Sequence, residues 1–302
     1  PFALSKKLES GVPKWKIVLQ ICWRGILLTA FAIYLHHITP FAFSAQPSTF
    51  DWLLGVLGFA LLFPILLRLP QTMKPMARYS IKAAGVAGAV GLLAYISFPD
   101  GSGFSVNRSD IIIIVLANVA VFGSLIWLFT QGNILARLGI MGLLIALRLT
   151  QGIEGSWNHW LWAATPFSWM YKLYYMQYLF IVLPGTIAGD LIYRWMKSPS
   201  LRTTGEEESS SYRMIVSFVL MISLLLINLV GLYSRMLLAT ALVNVALCAA
   251  GYFLFSKART TIETLHRSLF QWGSYWLVLG MFFEAFEGGI KKDHPTMSYY
   301  FV

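Results

Sequence analysis

Charge is scarce in this chain, and negative charge scarcer still. Asp and Glu number 13 against 23 Lys and Arg, and together they make up 12% of 302 residues. A soluble domain of this length would need about twice that share to cover its surface. Cysteine is nearly absent as well. The two present, Cys22 and Cys248, each sit inside an apolar run, a spacing that offers neither a disulfide framework nor a metal motif. No dinucleotide-binding GxGxxG, phosphate loop, GxSxG, HExxH or paired CxxC occurs, so a nucleotide-binding ATPase domain is excluded from this stretch.

Hydrophobic residues fill the space instead, at 57% of the chain and a mean hydropathy of +0.66. They fall into nine runs: 14–35, 50–69, 79–98, 110–130, 134–150, 170–195, 213–231, 236–255 and 269–287. A helix needs roughly 20 mostly apolar residues to cross the hydrocarbon core of a bilayer. The pattern predicts an all-α, polytopic transmembrane helix bundle of about nine spans, one domain over residues 1–302. Run 134–150 is the weakest, since Arg137 and Arg148 bracket a short core, and Pro184 is expected to kink run 170–195. The chain opens on Pro1-Phe2-Ala3-Leu4 and closes on Tyr299-Tyr300-Phe301-Val302 as an apolar run begins, so both termini are expected to be truncated.

The basic residues lie at the ends of the runs, which points to membrane topology rather than to nucleic acid. If the start of run 14–35 faces the cytoplasm, sixteen Lys and Arg fall on cytoplasmic ends and six on the other side, with Arg24 inside the span. That asymmetry follows the positive-inside rule and supports nine crossings with this orientation. An inner membrane is implied, because helical bundles rather than β-barrels populate it. The stretch 197–212, with Glu206-Glu207-Glu208 and three serines, reads as a flexible cytoplasmic loop. Residues 152–169 hold Trp157, Trp160, Trp162 and Trp169, suited to a headgroup-level belt or to the wall of a substrate cleft. Gly185 and Gly189 form a GxxxG, and Ala84/Gly88 and Ala87/Gly91 repeat the small-xxx-small spacing of helix packing faces.

Ionisable groups inside a bilayer are expensive and call for a reason. Arg24 lies mid-span and is expected to face the bundle interior, either in an ion pair with an unidentified acid or as an anion site for phosphate or carboxylate. Asp190 stands four residues before Arg194, a spacing that favours a local pair. Asn118, Asn228 and Asn244 suit interhelical hydrogen bonds. Acid–base groups gather on the face opposite the basic loops: His36, His37, Glu154, His159, Glu284, Glu287, Lys291, Lys292, Asp293 and His294. Glu284 and Glu287 share one helix face and could act as general base toward an acceptor hydroxyl or amine. No metal signature matches their spacing.

Several strings are familiar in order. Ser5-Lys6-Lys7, Arg24-Gly25-Ile26-Leu27-Leu28 and His37-Ile38-Thr39-Pro40 come first, then 111–122 (IIIIVLANVAVF) and Glu154-Gly155-Ser156-Trp157. LPGTIAGD at 183–190 and EGGIKK at 287–292, running into Ser298-Tyr299-Tyr300, complete the set. Together they resemble a bacterial multi-pass membrane family, commonest in Bacteroidetes and typed as a domain of unknown function. That family is similar to the heparan-α-glucosaminide N-acetyltransferases and the wider clan of membrane acyltransferases. There a short basic-polar string and Ser-Tyr precede a late helix, as Lys291-Lys292-Asp293 to Tyr299 do here.

The resemblance implies transfer of an acyl (acetyl) group from cytoplasmic acyl-CoA, as co-substrate and not a covalently bound cofactor, to a sugar or glycan acceptor on the opposite face. Cytoplasmic Arg68, Lys74, Arg78 and Lys82 would draw the anionic CoA. Catalytic candidates are Glu284, Glu287 and His37, with Arg24 and Lys291 on substrate or CoA and no metal. The group's own candidate histidine would precede Pro1, and its last helices would follow Val302, so this stretch alone is expected to be inactive. Partners are the lipid bilayer and the acceptor, with self-association left open and no nucleic acid. The competing reading is a transporter or flippase for a lipid-linked or small polar substrate, with Pro184 as its helix break. A third is a structural or assembly membrane protein.

Overall fold

A computed structural model describes residues 1–165, 167, 169–198, 211–256, 258 and 260–302. The Glu206–Glu208 run of the expected cytoplasmic loop lies outside the described residues. All regular structure among them is helical: α1 (Phe2–Glu9), α2 (Lys14–Ile38), α3 (Pro40–Phe43), α4 (Thr49–Leu66), α5 (Pro75–Tyr95), α6 (Ile111–Phe129) and α7 (Ile134–Thr150). Then follow α8 (Trp157–Ala163), a 3-10 turn at Leu173–Tyr178, α9 (Leu179–Met196), α10 (Ser211–Tyr233), α11 (Leu237–Phe255), α12 (Thr261–Glu287) and α13 (Met297–Phe301).

Local chemistry sets several boundaries. Ser48 and Asp51 form a capping box at the start of α4, with Ser48 Oγ accepting the Asp51 N–H at 3.2 Å and Asp51 Oδ2 the Ser48 N–H at 2.7 Å. Ser156 caps α8 and Thr260 caps α12 through the N–H groups of His159 and Glu263. Gly288, at φ +69°, closes α12 in the left-handed conformation. Pro64 and Pro184 lie within α4 and α9, and α9 runs through Pro184 as one helix instead of breaking there.

Helices cover all nine apolar runs, but among the described residues six rather than nine are long and apolar enough to cross a membrane. These are Lys14–Ile38, Thr49–Leu66, Ile111–Phe129, Leu173–Met196, Ile215–Tyr233 and Leu237–Phe255. The shortfall in the other three has a physical cause. Arg78 and Lys82 sit in the first two turns of α5, and α7 has only 17 residues with Arg137 and Arg148 among them. In α12, Glu263, His266 and Arg267 occupy one end and Glu284 and Glu287 the other. Much of the helix surface is apolar and outward: Leu53, Phe218, Leu229 and Phe253 are each more than 60% exposed. Six such helices make this a multi-pass membrane architecture, in which lipid solvates what water could not.

The chain divides into two compact units, the boundaries falling within α6 and α7 and between Gln177 and Tyr178. The first unit comprises residues 1–14, 126–143 and 178–302. Within it α11 packs on α10 and α12, while α9 packs on α1, α12 and α13. Trp276, Phe283 and Phe301 stack where α12 meets α13. The second unit comprises residues 15–125 and 144–177. Its core joins Tyr34 and Ile38 of α2 to Ala89 and Leu92 of α5, with Phe43, Ile96 and Phe98. The close approaches on α5 are at Gly85, against Pro64 and Ile65, and at Gly88, against Leu61. A Cβ added at Gly91 would meet nothing within 4 Å, so no close helix approach is seen at that glycine of the Ala87/Gly91 pair. Of the GxxxG in α9, a Cβ added at Gly189 would lie 2.8 Å from Pro1, while one added at Gly185 would meet nothing within 4 Å.

Candidate functional site

The densest cluster of the expected acid–base groups is at the C-terminal end of α12, in the first unit. Glu284 is 3% exposed and takes a 2.7 Å hydrogen bond from Arg235 Nη1 onto Oε1, which is also an ion pair. Arg235 reaches it because the chain turns sharply after α10. Its own φ is +58°, and the N–H groups of Arg235 and Met236 return to the carbonyls of Leu232 and Gly231. The second guanidinium nitrogen donates to the Gly288 carbonyl at 3.4 Å. Gly289 follows at φ +121°, and a Cβ there would lie 2.7 Å from Arg235 Nη1, so both conformation and space favour glycine.

The loop after these glycines is braced from within. Thr296 Oγ1 donates to the Gly289 carbonyl at 2.9 Å and accepts the Lys291 N–H at 3.1 Å, while Ser298 Oγ also donates to Gly289 at 3.1 Å. The Glu287 carboxylate accepts the Met297 N–H and so caps α13. Of the two glutamates expected to act together, one therefore faces an arginine and the other holds a helix start. Lys291, Lys292, Asp293 and His294 form an exposed rim above them.

Glu284 and Arg235 close one end of a cavity of about 1020 Å³. Its walls are apolar, with Met221, Leu225 and Leu229 from α10 facing Leu269, Phe270 and Leu277 from α12. Gly273 lies in the α12 wall, where an added Cβ would meet nothing within 4 Å. Mid-length polar groups are few. Asn228 shares a reciprocal amide pair with Asn244 at 2.9 and 2.8 Å, whereas Ser274 Oγ has no hydrogen-bond partner among the described residues. His266 and Ser217 stand at the other end, beside an Arg213–Glu263 pair at 3.0 Å.

His37 and Arg24 belong to the second unit; His37 closes α2 as expected, and Arg24 does not face inward as expected. His37 is fully buried at the end of α2. Its Nδ1 lies 2.7 Å from the Ile33 carbonyl, and its Nε2 lies 3.2 Å from the Ser105 backbone nitrogen. This fixes the tautomer as Nδ1–H with an accepting Nε2. Phe98 and Phe104 pack on the ring at 5.2 and 5.0 Å. With both nitrogens engaged, His37 ties the loop before α6 to the end of α2. Arg24 is exposed, with no hydrogen bond or ion pair among the described residues. The bundle interior expected to receive it is reached instead by its neighbours Ile21 and Gly25, whose Cβ position would meet Val121.

Asp190 pairs with Arg137, not with Arg194. Arg137 is 1% exposed, and its Nη1 lies 2.9 Å from Asp190 Oδ2 and donates to Thr186 Oγ1 at 2.9 Å. Its Nε reaches Thr130 Oγ1 at 3.3 Å, and Trp127 Nε1 donates to Asp190 Oδ1 at 2.7 Å. One buried network thus ties the ends of α6 and α7 to α9. Arg194 points outward. Arg137 stands one turn into an apolar run, a position that gives no local sign of a partner 53 residues later.

Among the described residues, no three His, Cys, Asp or Glu side chains gather closely enough to hold a metal ion. What the α12 site can do chemically is hold a nearly dry carboxylate beside a guanidinium, at the end of an apolar cavity and under an exposed polar rim. Glu284 lines this cavity and Lys291 stands on the exposed rim, whereas no local sequence pattern marks Arg235, Gly273 or Ser274. No curated protein and no solved structure matches the chain. A family model described as "Domain of unknown function (DUF5009)" matches residues 1–192, well over half of the chain. On that match, the chain belongs to the DUF5009 family of domains of unknown function.

Proposed function

We propose that this protein is a membrane acyltransferase that moves an acyl (acetyl) group from acyl-CoA to a sugar-type acceptor on the opposite face of the bilayer. The observation that carries the reading is the cavity lined from His266 to Glu284. Those residues are 18 apart on α12, or about 27 Å at 1.5 Å per residue, close to the thickness of a hydrocarbon core. The pantetheine arm of acyl-CoA would enter at the His266 end and carry its thioester toward Glu284. Glu284 would accept the proton of the acceptor hydroxyl or amine as that atom attacks the thioester carbonyl. The C–S bond breaks, and the departing thiolate takes up the proton. Arg235 keeps the carboxylate charge-compensated, and the Lys291–His294 rim receives the acceptor.

In this reading α5, α7 and α12 cross the bilayer along with the six more apolar helices, the basic loops face the cytoplasm, and the membrane is an inner membrane. Support for acyl transfer itself comes from the resemblance of the EGGIKK and neighbouring strings, since the family match brings no activity with it.

The test uses the natural full-length protein in sealed liposomes, with radiolabelled acetyl-CoA outside and a hexosamine inside. Labelled sugar should accumulate in the lumen, and Glu284→Gln should lower its rate by about 10²–10⁴-fold, the usual effect of removing a general base. The reading fails if the protein neither binds nor consumes any acyl-CoA. It fails equally if the acceptor is carried across without a covalent product, which would assign the cavity to transport.

A further inference from the structure

The middle of the loop between α5 and α6 hangs on one side chain. Its ends are anchored elsewhere: Phe98 sits in the core of the second unit, and the Asp110 N–H donates to the Ala32 carbonyl of α2 at 3.0 Å. Between them, residues 101–107 are exposed except for the half-buried Ser105. Among the described residues, the one hydrogen bond from 103–107 to a helix runs from the Ser105 N–H to His37 Nε2, at 3.2 Å. Phe104, 52% exposed, rests on the same ring at 5.0 Å. His37 itself is fully buried, and its Nδ1–H is spent on the Ile33 carbonyl.

That bond requires a neutral imidazole. A second proton on the ring goes to Nε2, the atom that accepts from Ser105, and leaves a donor facing a donor. The link is then lost, and the new charge needs water or an acid. The acids nearby are committed. Asp100 pairs with Arg108, whose guanidinium lies 3.8 Å over the Phe98 ring and repels a charge on His37, while Asp110 accepts the Ile113 N–H and faces His36. His36, next to His37 on α2, adds a like charge once protonated. On the other helices of this core, Asp51 of α4 is held in its capping box, α3 has no ionisable side chain, and Arg78 and Lys82 stand at the far end of α5. Tyr34 of α2 donates its hydroxyl to the Gly58 carbonyl. We propose that His37 is a pH-operated latch: as a neutral ring it holds residues 99–109 against the end of α2, and on taking up a proton it lets them go. The released loop admits the water that the imidazolium needs. The latch is independent of acyl transfer, and in the orientation proposed above it faces the side opposite the cytoplasm and responds to the pH there.

The experiment uses the natural full-length protein in lipid nanodiscs. Hydrogen exchange at the Ser105 amide is measured from about pH 7.5 to about pH 4.5, each rate taken relative to the intrinsic rate at that pH, and nitrogen-15 spectra of the histidine rings report the protonation of His37. Linkage to a single proton allows at most about a tenfold change in opening per pH unit, beginning near about pH 6.5, the ordinary imidazole value of the open form. Protection of Ser105 should fall about tenfold between about pH 7 and about pH 5, in step with the appearance of the His37 imidazolium. His37→Gln supplies an acceptor that does not titrate and should flatten this fall. His36→Gln should leave it in place, and so should Asp100→Asn, because the Asp100 carboxyl is held below its ordinary range and titrates below about pH 4. Three results overturn the proposal: protection that stays constant over the whole range, a fall while His37 remains neutral, or a fall that survives His37→Gln. Should His37→Gln not fold, the comparison of ring and amide in the unaltered protein still decides.

Discussion

Removing the Asp190 carboxylate should be among the most destabilising single changes in this protein. Arg137 is 1% exposed and meets Asp190 at 2.9 Å, and one of its terminal nitrogens, Nη2, has no hydrogen-bond partner among the described residues. Asp190→Ala would leave a buried guanidinium with only two hydroxyls and would orphan the Trp127 N–H. Breaking a buried pair from one side costs about 3–5 kcal/mol, most of it the penalty of the charge left behind. Arg137→Leu should cost a similar amount for the mirror reason. The double change Arg137→Leu with Asp190→Leu removes both charges and should recover most of the loss, giving a coupling of at least about 2 kcal/mol. Arg194→Ala should cost no more than about 0.5 kcal/mol, as an exposed charge does. The assay is reversible denaturant unfolding of the full-length protein in detergent–lipid micelles, run as a double-mutant cycle. If Arg194→Ala destabilises as much as Arg137→Leu, or if the double change is simply the sum of the singles, the network does not exist as described.

Three further changes test the packing. Gly25→Ala puts a methyl 2.4 Å from Val121 Cγ2 and should cost about 1–3 kcal/mol through overpacking, with Val121→Ala restoring most of it in the same unfolding assay. Gly289→Ala should cost a comparable 1–3 kcal/mol, because φ +121° is strained for any other residue and the methyl meets Arg235; unchanged stability would refute the loop geometry. The Asp100 carboxyl is held below its ordinary range by hydrogen bonds from Ser102 and by Arg108, which also lies 3.8 Å over the Phe98 ring. A carboxylate with a lowered folded value stabilises above its unfolded pKa and stops doing so as pH falls through the folded one. Amide protection at residues 101–108, taken relative to the intrinsic exchange rate at each pH, should therefore be greater at pH 6 and fall below about pH 4, and equal protection at pH 3 and pH 6 would contradict the brace.

How far the sequence reveals this fold depends on which physical term dominates each feature. Helix positions follow from hydrophobic run length, and each of the nine apolar runs does contain a helix. The number able to cross does not follow as simply. Arg137 and Arg148 in α7 and Arg78 and Lys82 in α5 lower the apolar content of helices whose length alone suggests a span. Local hydrogen bonds are legible where partners are close in sequence, as with Ser48 and Asp51 at the start of α4. Partners distant in sequence are not. Asp190 has Arg194 four residues away, a spacing that suits a helical pair, yet the structure prefers Arg137, 53 positions earlier. The preference has a cause: a buried arginine without a counter-charge is far costlier than an exposed one, so the acid goes where the desolvation penalty is greatest.

The same rule governs the candidate site and the end of α2. At α12, Glu284 is nearly dry and has drawn Arg235 out of a tight turn to meet it, even though Lys291 and Lys292 lie closer in sequence. His37 is dry too, and is satisfied by a carbonyl and a backbone N–H instead of staying available for chemistry. Each of these buried ionisable groups has found its complement within its own unit. The carboxylates and the arginine that are driest in this structure are thus placed in complementary pairs, because an uncompensated charge costs most where water is least available.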